Sequence, residues 1–523
     1  MHTIRLQTNQ HRLIANLRHA FNQSSMLGEL LQNARRAQAS EIRLSVTEDS
    51  LTIQDNGIGI ANLQSLIHIA ESGWDESIKS RETAFGMGAL ATLYFAEQLT
   101  VRSRGIMFST PTARIFSGEP IYVVPSDVEV HGTQIRLDGV RSPQQRVSLP
   151  DWVGNEMPRL CEAFPVRVWV NDTEVPRPLA SPDLVWQQTS MGRVLIDLLG
   201  ARTQWCCFLQ GLPIRVRYPR SRAQIVLLPD DTVARLPDRQ HLLNEAEDSV
   251  RIQAAVDQAY RKALVDKKAE LPASEFAERY ADACVISYNA DLLNDVPYVP
   301  RAWFRSWDQQ PAGVHRLWEG YGADGVVSAE ALSERGVWTI DADDGDVLMT
   351  EVYLQAADAY LLEQPNLHEE HWLRSLAIPI CAEQIAVSVG APLHQQENPG
   401  LDDYEIRLEL VSTLQVRSLG GTTAYDVPAL RKGSKLFITT QACNVTRLIS
   451  DYIIDDRYDE NREDEDAEII RTFIAIGSSS SPAPVVETLL PHALRYGKQP
   501  KLAHASVTLV FDAEGKLASV TSP

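Results

Sequence analysis

Cysteine is scarce in this chain, with six in 523 residues. They stand at 161, 206, 207, 284, 381 and 443, and no two have CxxC spacing. That spacing and density do not suggest a disulfide framework and point to buried free thiols in a reducing cytosol. Long apolar runs are absent too. No stretch reaches the 18 or more residues a membrane span needs, and the opening "MHTIRLQTNQHR" lacks the apolar core of a secretory leader. The expected location is therefore cytoplasmic. Positive charge is the third shortage: 49 Lys and Arg stand against 69 Asp and Glu, a net charge of -20. Proteins that ride on a nucleic-acid backbone usually concentrate cations to displace counterions, so a protein partner is favoured over a nucleic acid. What remains is an ordinary globular composition, 44% hydrophobic and 23% charged. The length suits about three domains at the usual ~100–200 residues each.

Three segments are expected. The first, 1–178, alternates helical and strand patterns. Leu27, Leu30, Leu31, Ala34 and Ala37 recur at helical spacing. Ile42, Leu44 and Val46 alternate with Arg43, Ser45 and Thr47 as in a half-buried strand. In the next strand Leu51, Ile53 and Asp55 share one face, so the Asp55 carboxylate points to the core side and needs a hydrogen-bonding partner. The second segment, 179–270, holds the strand-like "CCFLQGLPIRVRY" and "AQIVLLP". It closes on a helix striped by Ile252, Val256, Ala259, Ala263 and Leu264. In the third, 271–523, the run "DDRYDENREDEDAE" (455–468) reads as a solvated, mobile loop. "IGSSSSPAP" (476–484) reads as a linker, and "ASVTLVFDAEGKLASV" as strand-turn-strand.

Four short pieces of the first segment carry chemistry. In "GELLQNARRAQAS", Glu29 and Asn33 are four apart and share a helix face off the leucine stripe. A carboxylate can polarise a water there, and a carboxamide oxygen can hold Mg²⁺. In "DNGIGI", Asp55 can accept from an exocyclic amine, while Gly57 and Gly59 let the main chain approach a ring or a phosphate. In "AFGMGALATLYF", Gly86 and Gly88 precede a helix whose N-terminal N–H groups attract phosphate. "HGTQIRL" opens a strand with Gly132 and Thr133, a hydroxyl that can sit beside a base.

In this order and at these separations the four pieces resemble the motif set of the Bergerat-fold ATPases. That GHKL superfamily includes gyrase B, the ninety-kilodalton heat-shock chaperone, histidine kinases and MutL. "ELLQNA" is similar to the N box, and "DNGIGI", "FGMGALA" and "GTQIRL" to the three glycine boxes. The resemblance covers residues 10–175. It implies an α/β multidomain chain: an N-terminal Bergerat α/β sandwich with a mixed sheet and helices on one face, an S5-like α/β transducer domain at 179–270, and an α+β C-terminal region. It also implies ATP and Mg²⁺. Glu29 would be the general base for water and Asn33 the Mg²⁺ ligand. Asp55 would receive the adenine amine, directly and through a water shared with Thr133. Gly57, Gly59, Gly86, Met87 and Gly88 would line the nucleotide under a lid at 60–85. Two positions depart from the pattern: Arg36 stands where many relatives have Asp, and Ala89 where several have Lys or Phe.

Within the superfamily, a histidine kinase would need a phosphoacceptor helix pair, and only 28 residues precede Glu29. The resemblance to gyrase B, MutL and the chaperone implies that a following domain returns a cation to the γ-phosphate. Arg235 and Arg239, before the long helix, are the candidates there, and Lys79 and Arg81 in the lid are rivals. In the third segment "DADDGD" (341–346) lacks calcium-loop spacing. His368 and His371 in "HEEH" read as a solvated helical face, and Cys206–Cys207 as core packing. The leading expectation is slow ATP hydrolysis coupled to lid closure and homodimerisation, a switch acting on a protein client. A scaffold that holds ATP without turnover and an ATP-gated DNA clamp are the alternatives.

Overall fold

The computed structural model describes residues 18–67, 88–214, 223–235, 240–307, 324–443 and 445–522. The chain divides into two compact units, Met1–Leu271 with Ile286–Asn289, and Pro272–Val285 with Ala290–Pro523.

The first unit is built on an eight-stranded mixed sheet. Its strands are β1 (Glu41–Val46), β2 (Ser50–Asp55), β3 (Gln98–Ser103), β4 (Ile106–Pro111), β5 (Val124–Pro125), β6 (Thr133–Asp138), β7 (Arg167–Val170) and β8 (Thr173–Glu174). Their order is β5-β4-β3-β6-β2-β1-β7-β8. The β1–β2 hairpin is antiparallel, with Ile42 opposite Asp55 and Leu44 opposite Ile53, whereas β1 and β7 run parallel. In β1, Ile42, Leu44 and Val46 are buried while Arg43 and Ser45 are exposed. Alternation of this kind means that one face is covered and the other meets solvent. The cover is helical: α1 (Gln23–Arg36), α2 (Gly88–Phe95) and the helix Leu149–Cys161. Met26, Leu27, Leu30 and Leu31 of α1, Ala91 and Leu93 of α2, and Trp152, Val153 and Met157 join the strand residues in one core. Each such large side chain contributes about 1.5–3 kcal/mol by leaving water.

A five-stranded sheet follows in the same unit, ordered β12-β11-β13-β10-β9. It comprises β9 (Gln187–Thr189), β10 (Gly192–Leu195), β11 (Trp205–Leu209), β12 (Leu212–Ile214) and β13 (Gln224–Leu228). The helix Glu245–Glu270 lays Ile252, Ala255, Val256 and Ala259 against Val194, Cys207 and Val226. Cys207 is buried in that core, and Cys206 on the opposite face of the strand is half-buried.

The second unit is α+β. The helices Val347–Ala356 and Glu460–Ser478 share a core with a four-stranded sheet made of Pro392–Gln396, Arg407–Val411, Lys435–Ile438 and Ala429–Lys432. Three sequence expectations are corrected here. The acidic run is no loop: from Glu460 it is helix, and Glu463 and Asp466 are buried. Asp466 Oδ2 accepts from the Tyr452 hydroxyl at 2.8 Å and the Asp402 N–H at 3.0 Å. Glu463 accepts from the hydroxyls of Thr446, at 2.6 Å, and Tyr458. The serine run is only a short break, because helix extends through Ser478 and restarts at Pro482. His371 is buried rather than solvated, and its Nδ1 accepts from the Leu373 N–H at 3.1 Å to cap the helix Trp372–Leu376. In "DADDGD", Asp346 caps the helix Val347–Ala356, and Asp344 accepts from the Thr350 hydroxyl at 2.6 Å. Among the described residues, no cluster of His, Cys, Asp or Glu could hold a metal ion, and no helix is long and apolar enough to cross a membrane.

Candidate functional site

Helix α1 starts where a capping box makes it start. Asn22 Oδ1 accepts from the Ser25 N–H at 2.8 Å, and Ser25 Oγ accepts from the Asn22 N–H at 3.0 Å. Two N–H groups that the first helical turn would otherwise orphan are thereby satisfied. The leucine stripe then fixes the rotation of the helix. Glu29 comes out buried, at 6% exposure, and Asn33 half-buried.

The two side chains open into different hollows. Glu29 lines a cavity of about 40 Å³ together with Gly28, Gln32, Gln210, Leu212 and Gln240. Asn33 lines a smaller one, about 10 Å³, with Thr92 of α2, Leu99 of β3 and Ile135 of β6. The Glu29 cavity is closed by the β11–β12 turn. The Gln32 amide donates to the Gln210 carbonyl at 3.2 Å, and a Cβ on Gly28 would lie 3.3 Å from Leu212 Cδ1. Gln240 also reaches α1, donating to Asn22 Oδ1 at 3.4 Å. Arg235, five residues earlier, is exposed, and its N–H donates to the His241 carbonyl at 2.7 Å.

At the other end of α1 lies the glycine loop. Asp55 ends β2 opposite Thr133 of β6. Its Oδ1 accepts from the Gly57 N–H at 2.8 Å. Burial raises the Asp55 carboxyl above its ordinary value, opposed by the N–H groups of Gly57 and Thr133. The carboxylate thus has the partner that the strand pattern required, and it remains half-buried.

The loop is glycine-rich for reasons internal to the protein. A Cβ on Gly57 would stand 2.4 Å from the Ala37 carbonyl oxygen and 2.8 Å from Ala37 Cβ. That carbonyl, at the C-terminal end of α1, accepts from the Ile58 N–H at 2.8 Å. Gly59 has φ +73° and Gly132 has φ +80°, where side chains are strained. A Cβ on Gly132 would fall 2.1 Å from the Asp55 carbonyl oxygen. Asn56 ties the same loop to β1, its Oδ1 accepting from the N–H groups of Ser40 at 2.9 Å and Glu41 at 3.0 Å.

Ser103 and Arg104 belong to this site although the sequence did not flag them. The buried Ser103 hydroxyl donates to the Gly132 carbonyl and accepts from the Ile60 N–H, both at 2.8 Å, and lies 3.2 Å from Thr133 Oγ1. Arg104 donates twice to the Ile58 carbonyl, at 2.9 and 2.7 Å. A lone serine at a strand end carries no signal in one dimension. Gln32, Gln210 and Gln240 went unflagged for the same reason. Of the other expected site residues, Lys79, Arg81, Gly86, Met87 and Arg239 lie outside the described residues, while Gly88 is the first residue of α2.

Residues 21–115 match the family described as the histidine kinase-, DNA gyrase B- and HSP90-like ATPases. That stretch includes α1, the glycine loop and α2, and over it the chain is similar to a GHKL-type ATPase domain, consistent with the mixed α/β sheet. Among solved structures, the chain is similar to the ATPase region of Saccharomyces cerevisiae topoisomerase II. That match has 11% identity and a TM-score of 0.31, and covers 46% of this chain and 85% of that one. A likeness that loose carries no argument. The comparison with curated proteins returns no match.

Proposed function

We propose that this protein binds ATP between the glycine loop and α1 and hydrolyses it slowly, as a conformational switch. The observation that carries the reading is Asp55, a half-buried carboxylate set at a strand end beside Thr133, in a loop whose N–H groups hold it. A carboxylate so placed is an acceptor for the exocyclic amine of adenine, with Thr133 and Ser103 as hydroxyl neighbours. Along α1, Glu29 precedes the loop contact at Ala37 by eight residues, about 12 Å of helix at 1.5 Å per residue. An extended nucleoside triphosphate running beside the helix would cover a span of that order. Its base would lie at the Asp55 end and its terminal phosphate at the Glu29 end.

In that pose Glu29 is the general base that takes a proton from the attacking water. Asn33, half a span nearer the loop, offers one carboxamide oxygen. A single protein oxygen suits Mg²⁺, which keeps several waters and takes its other ligands from phosphate. When bound, the ion would neutralise phosphate charge. Helix α2 begins at Gly88, and in this pose its N-terminal N–H groups would meet a phosphate. The Glu29 cavity is walled by Gln210, Leu212 and Gln240 of the second sheet and its following loop, so movement of that sheet would reshape the base's surroundings. The proposal accordingly has the second-sheet domain sense the nucleotide, with Arg235 or Arg239 as the γ-phosphate contact and Lys79 or Arg81 as lid contacts. We extend the reading to closure and homodimerisation in the ATP-bound state, on a protein client given the net charge of -20.

The test is steady-state ATP hydrolysis by the wild-type, Glu29→Ala and Asp55→Asn proteins, with mass measured with and without a non-hydrolysable analogue. Glu29→Ala should retain ATP binding and lose about 10²–10⁴-fold in turnover. Asp55→Asn should lose binding. Normal turnover in Glu29→Ala removes the catalytic assignment, and an unchanged mass with the analogue removes dimerisation.

A further inference from the structure

The second unit contains a cavity of about 230 Å³ whose wall includes Val352, Gln355, Val427, Cys443, Arg447 and Leu448. Its apolar part is Val352, Val427 and Leu448, which belong to or flank the unit's core. Its polar part is dominated by one cation. Arg447 is half-buried, and its guanidinium donates to Gln355 Oε1. The Gln355 carboxamide is held in that orientation because its nitrogen donates to the Trp307 carbonyl at 3.2 Å.

Among the described residues, Arg447 has no anionic partner. Glu351 exerts an acidic influence on it, but that carboxylate pairs with Arg305 at 3.0 Å. Arg305 also takes Glu363 through its Nε. Asp426, on the exposed rim of the cavity, accepts from Gln415 at 2.9 Å. Among the described residues Arg447 makes no ion pair. Burial pulls its pKa below the ordinary value, with the Glu351 charge opposing and Arg305 assisting. A guanidinium offers five N–H donors in a planar fork, and a half-buried one whose acceptor among the described residues is one neutral carboxamide is costly to hold. The fork matches a carboxylate or a phosphate two bonds at a time.

We propose that this cavity is a binding site for a small organic oxyanion, a carboxylate or phosphate monoester on a short apolar body, with Arg447 as the anion clamp. The anionic end pairs with the guanidinium beside Gln355, and the apolar body lies along Val352, Val427 and Leu448. The site is separate from the nucleotide site by residue and by unit.

Cys443 gives the experiment a reporter, because it is exposed and lies on the cavity wall. Alkylation of the full-length protein by iodoacetamide, followed by peptide mass spectrometry, reads Cys443 occlusion. The buried Cys161, Cys207 and Cys284 report in the same digest whether each variant is folded. The probes are butyl phosphate and butyrate, with butanol and ionic-strength-matched chloride as controls. For a millimolar Kd, a probe at about four times that concentration should slow Cys443 alkylation about fivefold. Protection should vanish in Arg447→Met and survive in part in Arg447→Lys. Protection by butyl phosphate alone assigns a phosphate ligand, by butyrate alone a carboxylate, and by both an oxyanion of either kind. Equal protection by butanol, protection by neither anion, or full protection persisting in Arg447→Met overturns the proposal. Should Arg447→Met expose its buried cysteines, the wild-type comparison of anions with butanol decides alone.

Discussion

Replacing Gly57 by alanine separates two reasons for a glycine in "DNGIGI". If the residue is small so that a nucleotide can approach, alanine weakens ATP binding and leaves the empty protein as stable as before. The geometry gives a different reason. An alanine Cβ would stand 2.4 Å from the Ala37 carbonyl oxygen and 2.9 Å from Asp55 Oδ1. Both obstacles are fixed: the first is backbone at the end of α1, and the second is the carboxylate held by the Gly57 N–H itself. To fit, the loop must retreat from α1 and stretch the 2.8 Å bond from the Ile58 N–H to Ala37. Overpacking of this kind costs about 1–3 kcal/mol. A weakened hydrogen bond adds about 0.5–1.5 kcal/mol. The sum, about 1.5–4.5 kcal/mol, corresponds to a fall of roughly 3–18 °C in the Tm of a unit this size.

Scanning calorimetry of the nucleotide-free protein measures this directly. Gly154→Ala is the control. Gly154 lies inside the helix Leu149–Cys161, a Cβ there meets nothing within 4 Å, and its φ is not positive. That substitution should raise stability by about 0.4–1 kcal/mol through the unfolded chain alone. If nucleotide-free Gly57→Ala melts with the wild type and only its stabilisation by ATP is lost, the internal-packing account is wrong and the glycine serves the ligand.

Two predictions concern the second unit. Asp466→Ala removes a fully buried carboxylate that accepts from Tyr452 and the Asp402 N–H; it should cost roughly 3–5 kcal/mol in denaturant unfolding, against under about 0.5 kcal/mol for the exposed Glu468→Ala. A small loss at Asp466 would show that this face of the helix is not buried. His371 is held neutral, its pKa pushed down to about 4 by burial and then by His368. An unfolded histidine binds its proton near 6.5, so the unfolded state binds more protons between pH 6.5 and 4. The stability that neutral His371 contributes is complete above that window and is lost as pH falls through it. His371→Asn keeps a cap for the Leu373 N–H and removes the titration, so its stability should fall less steeply between pH 6.5 and 4; identical slopes would refute the assignment.

The first half of the chain was legible because its folding signals are local. A stripe at 27, 30, 31 and 34 needs only one helix, and the alternation at 42, 44 and 46 needs only a sheet with one covered face. Asp55 could be placed because period-two geometry says which way the side chain points, and Thr133 because a glycine precedes it. Ser103 could not, since its role exists only once β3 and β6 are neighbours. Gln210 likewise meets Gln32 across 178 residues of chain. Those positions are set by tertiary contact, and no window of one sequence contains them.

The acidic run shows a subtler failure. Glu463, Asp466, Ile470 and Phe473 are the buried residues of the helix Glu460–Ser478, and they sit at i, i+3, i+7 and i+10. That is an amphipathic stripe with ordinary helical period, but its first half is written in carboxylates. A hydropathy reading sees charge and assigns solvent, because an isolated buried carboxylate would be too costly. The cost falls only when donors converge. Here they come from Thr446, Tyr452 and Tyr458, five to seventeen residues upstream. The two tyrosines frame the run's first strand-like turn and were themselves unremarkable in sequence. A charged stretch whose acids recur at helical spacing and lead into an aliphatic continuation of the same stripe is therefore better read as one helix with a polar core contact. The test lies in whether hydroxyl donors stand within reach.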